Sequence, residues 1–195
     1  MRNLAIIVLA AGGSRRLGEP KQLVAIRGEP LIRHVVRIAT ESGAENVIVV
    51  VGGNACDCVS AIEEIGVDIV CNPFWETGLA SSIRIGIERA EATGAKAALL
   101  LLADQPFINS EVVAQYVERM NDKTDQIIAA DHGAVVGPPM LFGSDWFSQL
   151  KQLEGDQGAR HLVRVRKETI ELVKWPDGSF DIDTPEDLKK VLEMS

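Results

Sequence analysis

Residues 3–10, NLAIIVLA, are apolar at nearly every position rather than at alternate ones. A strand with one wet face alternates polar and apolar side chains, so this run must be covered on both sides. It therefore reads as an interior strand of a parallel sheet with helices packed on each face. The run is about eight residues long, against the roughly 20 that a membrane-spanning helix needs. It ends in a glycine turn followed by Arg15 and Arg16, not in the small-residue cleavage site of an export signal. The expected location is the cytoplasm.

The same signature recurs along the chain. Residues 46–51 (NVIVVV), 68–71 (DIVC) and 97–103 (AALLLLA) are further buried-strand candidates. Between them, residues 30–42, 55–65 and 79–93 carry apolar side chains at helical spacing, and Gly43 is a natural helix stop. Asn109 or Ser110 is placed to cap the next helix, through Val117. Beyond about residue 125 the pattern is less regular. Strands are expected at 126–130, 134–136 and 169–174, and helices near 144–153 and 184–193. Alternating strands and helices define an α/β fold, a Rossmann-like three-layer sandwich around a mostly parallel sheet. The 195 residues show no repeat, low-complexity tract or linker, so one domain is expected. Residues 1–108 would form a nucleotide-binding half and 109–195 an acceptor-side half.

The formal net charge of −8 gives no general attraction for nucleic acid or for anionic membranes. Any phosphate site must gather its cations locally. The three cysteines, Cys56, Cys58 and Cys71, form no disulfide framework, and no second Cys or His pair has zinc-finger spacing. The three histidines form no metal set. Trp75, Trp146 and Trp175 read as packing residues rather than a base-stacking platform.

Ala11-Gly12-Gly13-Ser14-Arg15-Arg16-Leu17-Gly18-Glu19-Pro20-Lys21 leaves the first strand directly. Glycines after a strand let backbone N–H groups approach an anion, and three cations follow. Ligands of open α/β sheets bind beyond the carboxyl ends of the strands. A P-loop is excluded because Glu19 follows Gly18 and Lys21 comes too late; Gly12-Gly13 does not supply the dinucleotide fingerprint.

Asp104 follows the apolar run Ala98–Ala103, and Gln105-Pro106 turns the chain after it. A carboxylate at the end of a buried strand needs a partner. Magnesium, which takes oxygen ligands from carboxylates, phosphates and water, is one; helix capping is the other reading. In FDIDTPEDL, Asp181 and Asp183 share a strand face, and Asp183 or Thr184 would cap the helix opened by Pro185. Ser81 and Ser82 follow Gly78 where a helix opens, either as a contact for anions or base edges or as ordinary caps.

LAAGGSRRLGEPKQL resembles the signature of the MobA-like nucleotidyltransferase family. The likeness continues through NPFWETGLASSIRIGI, LLLADQPFI, GPPMLFG, LEGDQGARHLV and DIDTPEDL, and is greatest to the molybdenum cofactor cytidylyltransferase branch. It implies that the backbone at Leu9, Ala10, Ala11, Gly12 and Gly13 holds base and phosphates. Arg16 and Lys21 would meet the triphosphate, with Arg15 solvated or assisting, and Ser82 would touch the nucleotide. Asp104 and Asp183 would hold Mg2+, or Mn2+, with Asp181 as a helper. Lys21, Arg16 and Asp104 would be catalytic. Donor and acceptor would be CTP and molybdopterin carrying molybdenum, with a recipient molybdoenzyme as partner.

The related guanylyltransferases tend to have Gly at the position of Ala11, which favours cytosine here. The family usually has a His where Pro138 stands, so a side-chain contact to the acceptor is lost at that point. Asp156, Gly158 and Arg160 are either an acceptor-side loop or a turn before a helix. Competing functions are a guanylyltransferase, a sugar- or alcohol-phosphate nucleotidyltransferase, and a non-catalytic cofactor chaperone, which would not need both carboxylates.

Overall fold

The computed structural model describes residues 3–14, 17–165, 170–182 and 184–194. The first strand, β1 (Leu4–Ala10), is buried at all seven positions, as its double-sided apolar pattern requires. Leu4, Ile6, Val8 and Ala10 belong to one core layer, and Ala5, Ile7 and Leu9 to the other. A short hairpin of β2 (Ala25–Ile26) and β3 (Glu29–Pro30) leads into α1 (Leu31–Glu41). There follow β4 (Asn46–Val51), α2 (Ala55–Ile62), β5 (Asp68–Cys71), α3 (Leu79–Ala92) and β6 (Ala97–Leu102). The remaining chain forms α4 (Ser110–Arg119), β7 (Ile127–Asp131), β8 (Val136–Gly143), α5 (Phe147–Lys151), α6 (Arg160–Val165), β9 (Ile170–Lys174) and α7 (Pro185–Met194).

Seven strands form one sheet in the order β5-β4-β1-β6-β8-β7-β9. Only β8 runs against its neighbours. Side chains of α1, α2, α4 and α7 complete the core on one face, and those of α3, α5 and α6 complete it on the other. Each fully buried Leu or Ile contributes about 1.5–3 kcal/mol relative to exposure, so the burial of β1 on both faces stabilises the sheet strongly. No helix among the described residues is long and apolar enough to cross a membrane.

The helix boundaries follow local chemistry. Asn109 caps α4 by accepting the amide of Val112 at 2.9 Å. Thr184 caps α7 in a reciprocal box with Asp187: its hydroxyl accepts the Asp187 amide, and the Asp187 carboxylate accepts the Thr184 amide. Gly43, at φ 75°, lies just beyond the end of α1.

The structure differs from the sequence reading around residues 134–143. A short strand was expected at 134–136; β8 instead covers eight residues and contains two prolines. Prolines cannot donate to a ladder, which argues against a central strand. The geometry resolves this. The pairing with β6 runs only from Met140 to Gly143. On the other side, the register with β7 jumps between Ala129 and Ala130, passing over Pro138 and Pro139. Their carbonyls stay available: Pro139 accepts the buried Tyr116 hydroxyl at 2.8 Å, and Pro138 accepts the Gln105 amide at 3.1 Å.

All three cysteines are free. Cys56 and Cys71 are exposed, whereas Cys58 is buried and burial pushes its thiol up to about 11. Because the thiolate is the reactive form, Cys56 and Cys71 should react with a disulfide reagent in the native protein at pH 8. Cys58 should react only after denaturation. Three fast-reacting thiols without denaturant would contradict the packing of α2.

Candidate functional site

Beyond the carboxyl ends of β1 and β6 lies an open cleft of about 560 Å³. Its floor comes from Leu9 and the loop Ala11–Ser14, and from Leu102, Ala103 and Asp104. Lys21 and Gln22 close one side; Trp75, Gly78, Leu79 and Ser82 close the other. Glu76 and Asp156 stand at the lining as further carboxylates.

The glycine loop is pinned by Gln22. Gln22 is 2% exposed. Its amide donates to the carbonyls of Ala10 at 3.2 Å and Gly12 at 2.6 Å, and its carbonyl accepts the Ser14 hydroxyl. The Ser14 oxygen in turn accepts the Lys21 amide at 2.9 Å. These bonds tie Lys21 and Gln22 to Ala10, Gly12 and Ser14 and bring Lys21 to the cleft. Ala10 is turned away from it: the side chain lies in the core layer of α1, and Gln22 takes the carbonyl. A Cβ on Gly13 would lie 2.5 Å from Cζ3 of Trp75, so only glycine fits against that ring. Trp75 is thus both a packing residue, as read from the sequence, and part of the cleft wall.

Lys21 Nζ forms an ion pair with Oδ2 of Asp104, the side chains being 18% and 17% exposed. The other oxygen, Oδ1, is buried and has no hydrogen-bond partner among the described residues. A buried carboxylate oxygen without a donor is costly and calls for a cation or a donor. The Asp104 backbone carbonyl accepts the amide of Ile182 at 3.3 Å, and Gln105 donates to Gly178 at 3.1 Å. The segment preceding α7 is therefore tied to the end of β6, some 80 residues away in sequence. Asp183 follows Ile182 in the chain but lies outside the described residues, as do Arg15 and Arg16. Asp181 is exposed and is not part of the cleft lining. Among the described residues, no three His, Cys, Asp or Glu side chains gather as a metal site.

The sequence makes Ser82 a candidate nucleotide contact or a cap. It is neither at the cap nor in a loop: Gly78, at φ 112°, precedes α3, and both serines sit within its first turn. Buried Asn72 donates to Ser81 and Ser82, at 2.9 Å each, and accepts the Phe74 amide at 2.8 Å. With its oxygen so engaged, Ser82 can still donate its own proton into the cleft. The helix terminus is less open to an anion than the sequence suggested, because the Ala80 amide already donates to Gly155 at 3.0 Å. A Cβ on Gly78 would come within 2.3 Å of that carbonyl, so the glycine is what lets the loop 153–159 lie across α3. Of the two readings of Asp156, Gly158 and Arg160, the turn before a helix describes their backbone. Asp156 lines the cleft, and α6 begins at Arg160.

Where Pro138 stands in place of the usual His, another imidazole is near. His132 Nε2 lies 3.0 Å from the Pro138 carbonyl, and its Nδ1 lies 2.8 Å from that of Trp175. Asn72 and Gln22 both lie within the motif blocks, Asn72 opening NPFWETG and Gln22 near the end of LAAGGSRRLGEPKQL, but nothing local marks them as buried.

Asn72→Ala removes the partner of two serine hydroxyls and an amide. We expect it to lower unfolding stability by about 1–3 kcal/mol, at an unchanged denaturant slope, and to weaken nucleotide binding. An Asn72→Ala protein with wild-type nucleotide affinity would show that Ser82 needs no such support.

With this geometry in view, a family model described as the MobA-like NTP transferase domain matches residues 6–171. The purine catabolism protein PucB of Bacillus subtilis is 31% identical, over 95% of this chain and 94% of its own length. The nicotine blue oxidoreductase of Paenarthrobacter nicotinovorans is 27% identical, over 95% of each chain. A probable molybdenum cofactor guanylyltransferase of Opitutus terrae is 36% identical over 55% of this chain and 50% of its own. The crystal structure of Rv0371c from Mycobacterium tuberculosis superposes with a TM-score of 0.84 at 28% identity, covering 98% of both chains. The same protein has also been solved in complex with manganese, a structure with a TM-score of 0.82 at 26% identity that covers 99% of this chain and all of its own. The chain belongs to the MobA-like NTP transferase family and is a nucleotidyltransferase.

Proposed function

We propose that this protein transfers CMP from CTP to the phosphate of molybdenum-loaded molybdopterin, releasing pyrophosphate and forming the cytosine dinucleotide cofactor. The observation that carries the reading is the Lys21–Asp104 pair at the floor of a glycine-walled cleft, with one carboxylate oxygen lacking a partner. That arrangement suits a site for a polyphosphate and a divalent cation, and the manganese complex of Rv0371c supports the cation. The chemistry of the donor set also fits, since a hard cation takes one or two carboxylates plus phosphates and water. Asp104, with Asp183, would hold magnesium, or manganese, which would supply charge neutralisation on the triphosphate.

The chain's own groups do the positioning. Backbone amides of Ala11–Gly13 and the Ser82 hydroxyl hold the nucleotide. Lys21 exchanges its carboxylate partner for phosphate oxygens when the triphosphate arrives, and Arg16 adds a second cation. An oxygen of the acceptor phosphate forms a bond to the α-phosphorus. The bond from that phosphorus to the bridging oxygen breaks, and pyrophosphate leaves with the electron pair. The attacking phosphate is ionised at pH 7, so no general base is needed; holding the two reactants in line is the main task. The half after residue 108 shapes the acceptor side, and a recipient molybdoenzyme takes the product. The net charge of −8 offers no attraction for nucleic acid, and the cytoplasm is the expected location.

Cytosine rests on Ala11. It is 5% exposed and lines the cleft at the position where related guanylyltransferases tend to have Gly. The likeness to a molybdenum cofactor guanylyltransferase keeps GTP as the second reading.

Pyrophosphate release should be measured with magnesium and molybdenum-loaded molybdopterin, using CTP, GTP, ATP and UTP separately. CTP alone should react. Release with GTP alone would keep the chemistry and overturn the role of Ala11. Silence with all four despite nucleotide binding would favour a cofactor chaperone or another acceptor. Asp104→Ala should lower turnover by at least about 100-fold, as loss of a transition-state charge contact does. Turnover that survives at ordinary magnesium would remove Asp104 from the metal site. Ala11→Gly should raise GTP use relative to CTP by about tenfold, the scale of a single methyl.

A further inference from the structure

Gln105 directly follows Asp104 and is 2% exposed. Burying a primary amide is costly unless its groups find partners. Its NH2 group serves two carbonyls from distant parts of the chain: Pro138 in β8, at 3.1 Å, and Gly178 in the turn Pro176–Ser179, at 3.1 Å. Both partners are acceptors, so only the NH2 end of the side chain can face them.

The two carbonyls belong to one buried frame. His132 spans the carbonyls of Pro138 and Trp175, at 3.0 and 2.8 Å. The Gly178 amide donates to that same Trp175 carbonyl at 3.2 Å. A Cβ on Gly178 would lie 2.1 Å from the Trp175 ring and 2.5 Å from Cε1 of His132, so the turn is packed against both rings. Gln105 thus fastens the chain leaving β6 to a frame made by β8 and the turn before α7. The main chain beside it is held as well: the Ala103 amide donates to Leu9 at 3.1 Å, and the Asp104 carbonyl accepts the Ile182 amide at 3.3 Å.

This anchoring has a consequence for the Asp104 side chain. Its ion pair with Lys21 is given up when Lys21 turns to the triphosphate. The direction of the carboxylate then depends on the backbone on either side of it, with β6 before and Gln105 after. Gln105 is not part of the cleft lining and acts through its neighbour.

We infer that Gln105 is a positioning residue: by tying the chain just after Asp104 to Pro138 and Gly178, it holds the Asp104 carboxylate where a divalent cation binds. The inference rests on the reading of Asp104 as a metal ligand.

The test is Mn2+ binding to the full chain in the presence of saturating CTP or GTP, whichever binds, with free Mn2+ followed by electron paramagnetic resonance. Gln105→Met keeps the length of the side chain and removes both donors. It should weaken Mn2+ binding by about tenfold or more, the scale on which groups behind a metal ligand act. Nucleotide affinity measured without metal should stay at the wild-type value, because the glycine loop and Ser82 are untouched. Tyr116→Phe is the comparison: it removes one buried bond to the neighbouring Pro139 carbonyl and should leave Mn2+ binding unchanged. If Gln105→Met does not fold, Gln105→Asn, which keeps the amide on a shorter chain, carries the same expectation. Wild-type Mn2+ affinity in a folded Gln105 variant, or an equal loss in Tyr116→Phe, overturns the inference. Asp104→Asn separates the two levels. If Mn2+ binding survives that change, Asp104 is not a metal ligand and the role of Gln105 falls with it. If Asp104→Asn loses Mn2+ and folded Gln105→Met does not, only the role of Gln105 falls.

Discussion

Burial of β1 on both faces is the constraint from which the rest follows. Seven consecutive buried residues cannot be covered by one layer, so helices must lie on each side and strands on each edge. Parallel neighbours β4 and β6 then need crossover connections, which α1 and α3 lie within. Parallel strands end together, so their carboxyl ends gather several loops at one edge. The cleft forms there, between the loop after β1 and the turn after β6.

Polar satisfaction gives that edge its shape. The glycine loop could adopt many conformations, and Gln22 holds it in one by bonding to two of its carbonyls. Asn72 does the same for the opposite wall through two serines. Trp75 and Gly13 fix the distance between these walls, because the ring rests where a Cβ would be. The Asp104 carboxylate is satisfied on one oxygen by Lys21 and, among the described residues, has no hydrogen-bond partner on the other, as is also true of the adjacent Gln105 side-chain carbonyl oxygen. A carboxylate oxygen left in that condition at the floor of a cleft is suited to a ligand or a cation.

Much of the fold was legible because its strands are long enough and apolar enough to be unambiguous. The four main-sheet strands of the first half follow from local pattern alone, whereas the hairpin β2–β3 does not, and the caps are narrowed only to Asn109 or Ser110 and to Asp183 or Thr184. Strand β8 did not, since glycines and prolines at 137–139 read as a turn; only the register jump in β7 shows how a sheet accommodates them. In the site, Lys21, Asp104 and Ser82 stand out by position in their motifs. Gln22 and Asn72 do not, because what distinguishes them is burial together with hydrogen-bond partners. The anion-binding reading of α3 also needed correction, since no local signal reveals that Gly155 occupies one of its amides.

The sequence by itself determined the α/β class, the order of elements and the residue types available for phosphate chemistry. It does so because hydrophobic period and turn chemistry act over a few residues. The tertiary structure decided which of these meet. Lys21 and Asp104 are 83 residues apart and touch only because β1 and β6 are paired in register. Ile182 reaches Asp104 from the far end of the chain for a similar reason. The apolar cavity of about 210 Å³ beside the cleft is likewise built from β1, α3, β6, β8 and the loop before α6. Such contacts depend on sheet order and packing, and no local pattern in the chain encodes them.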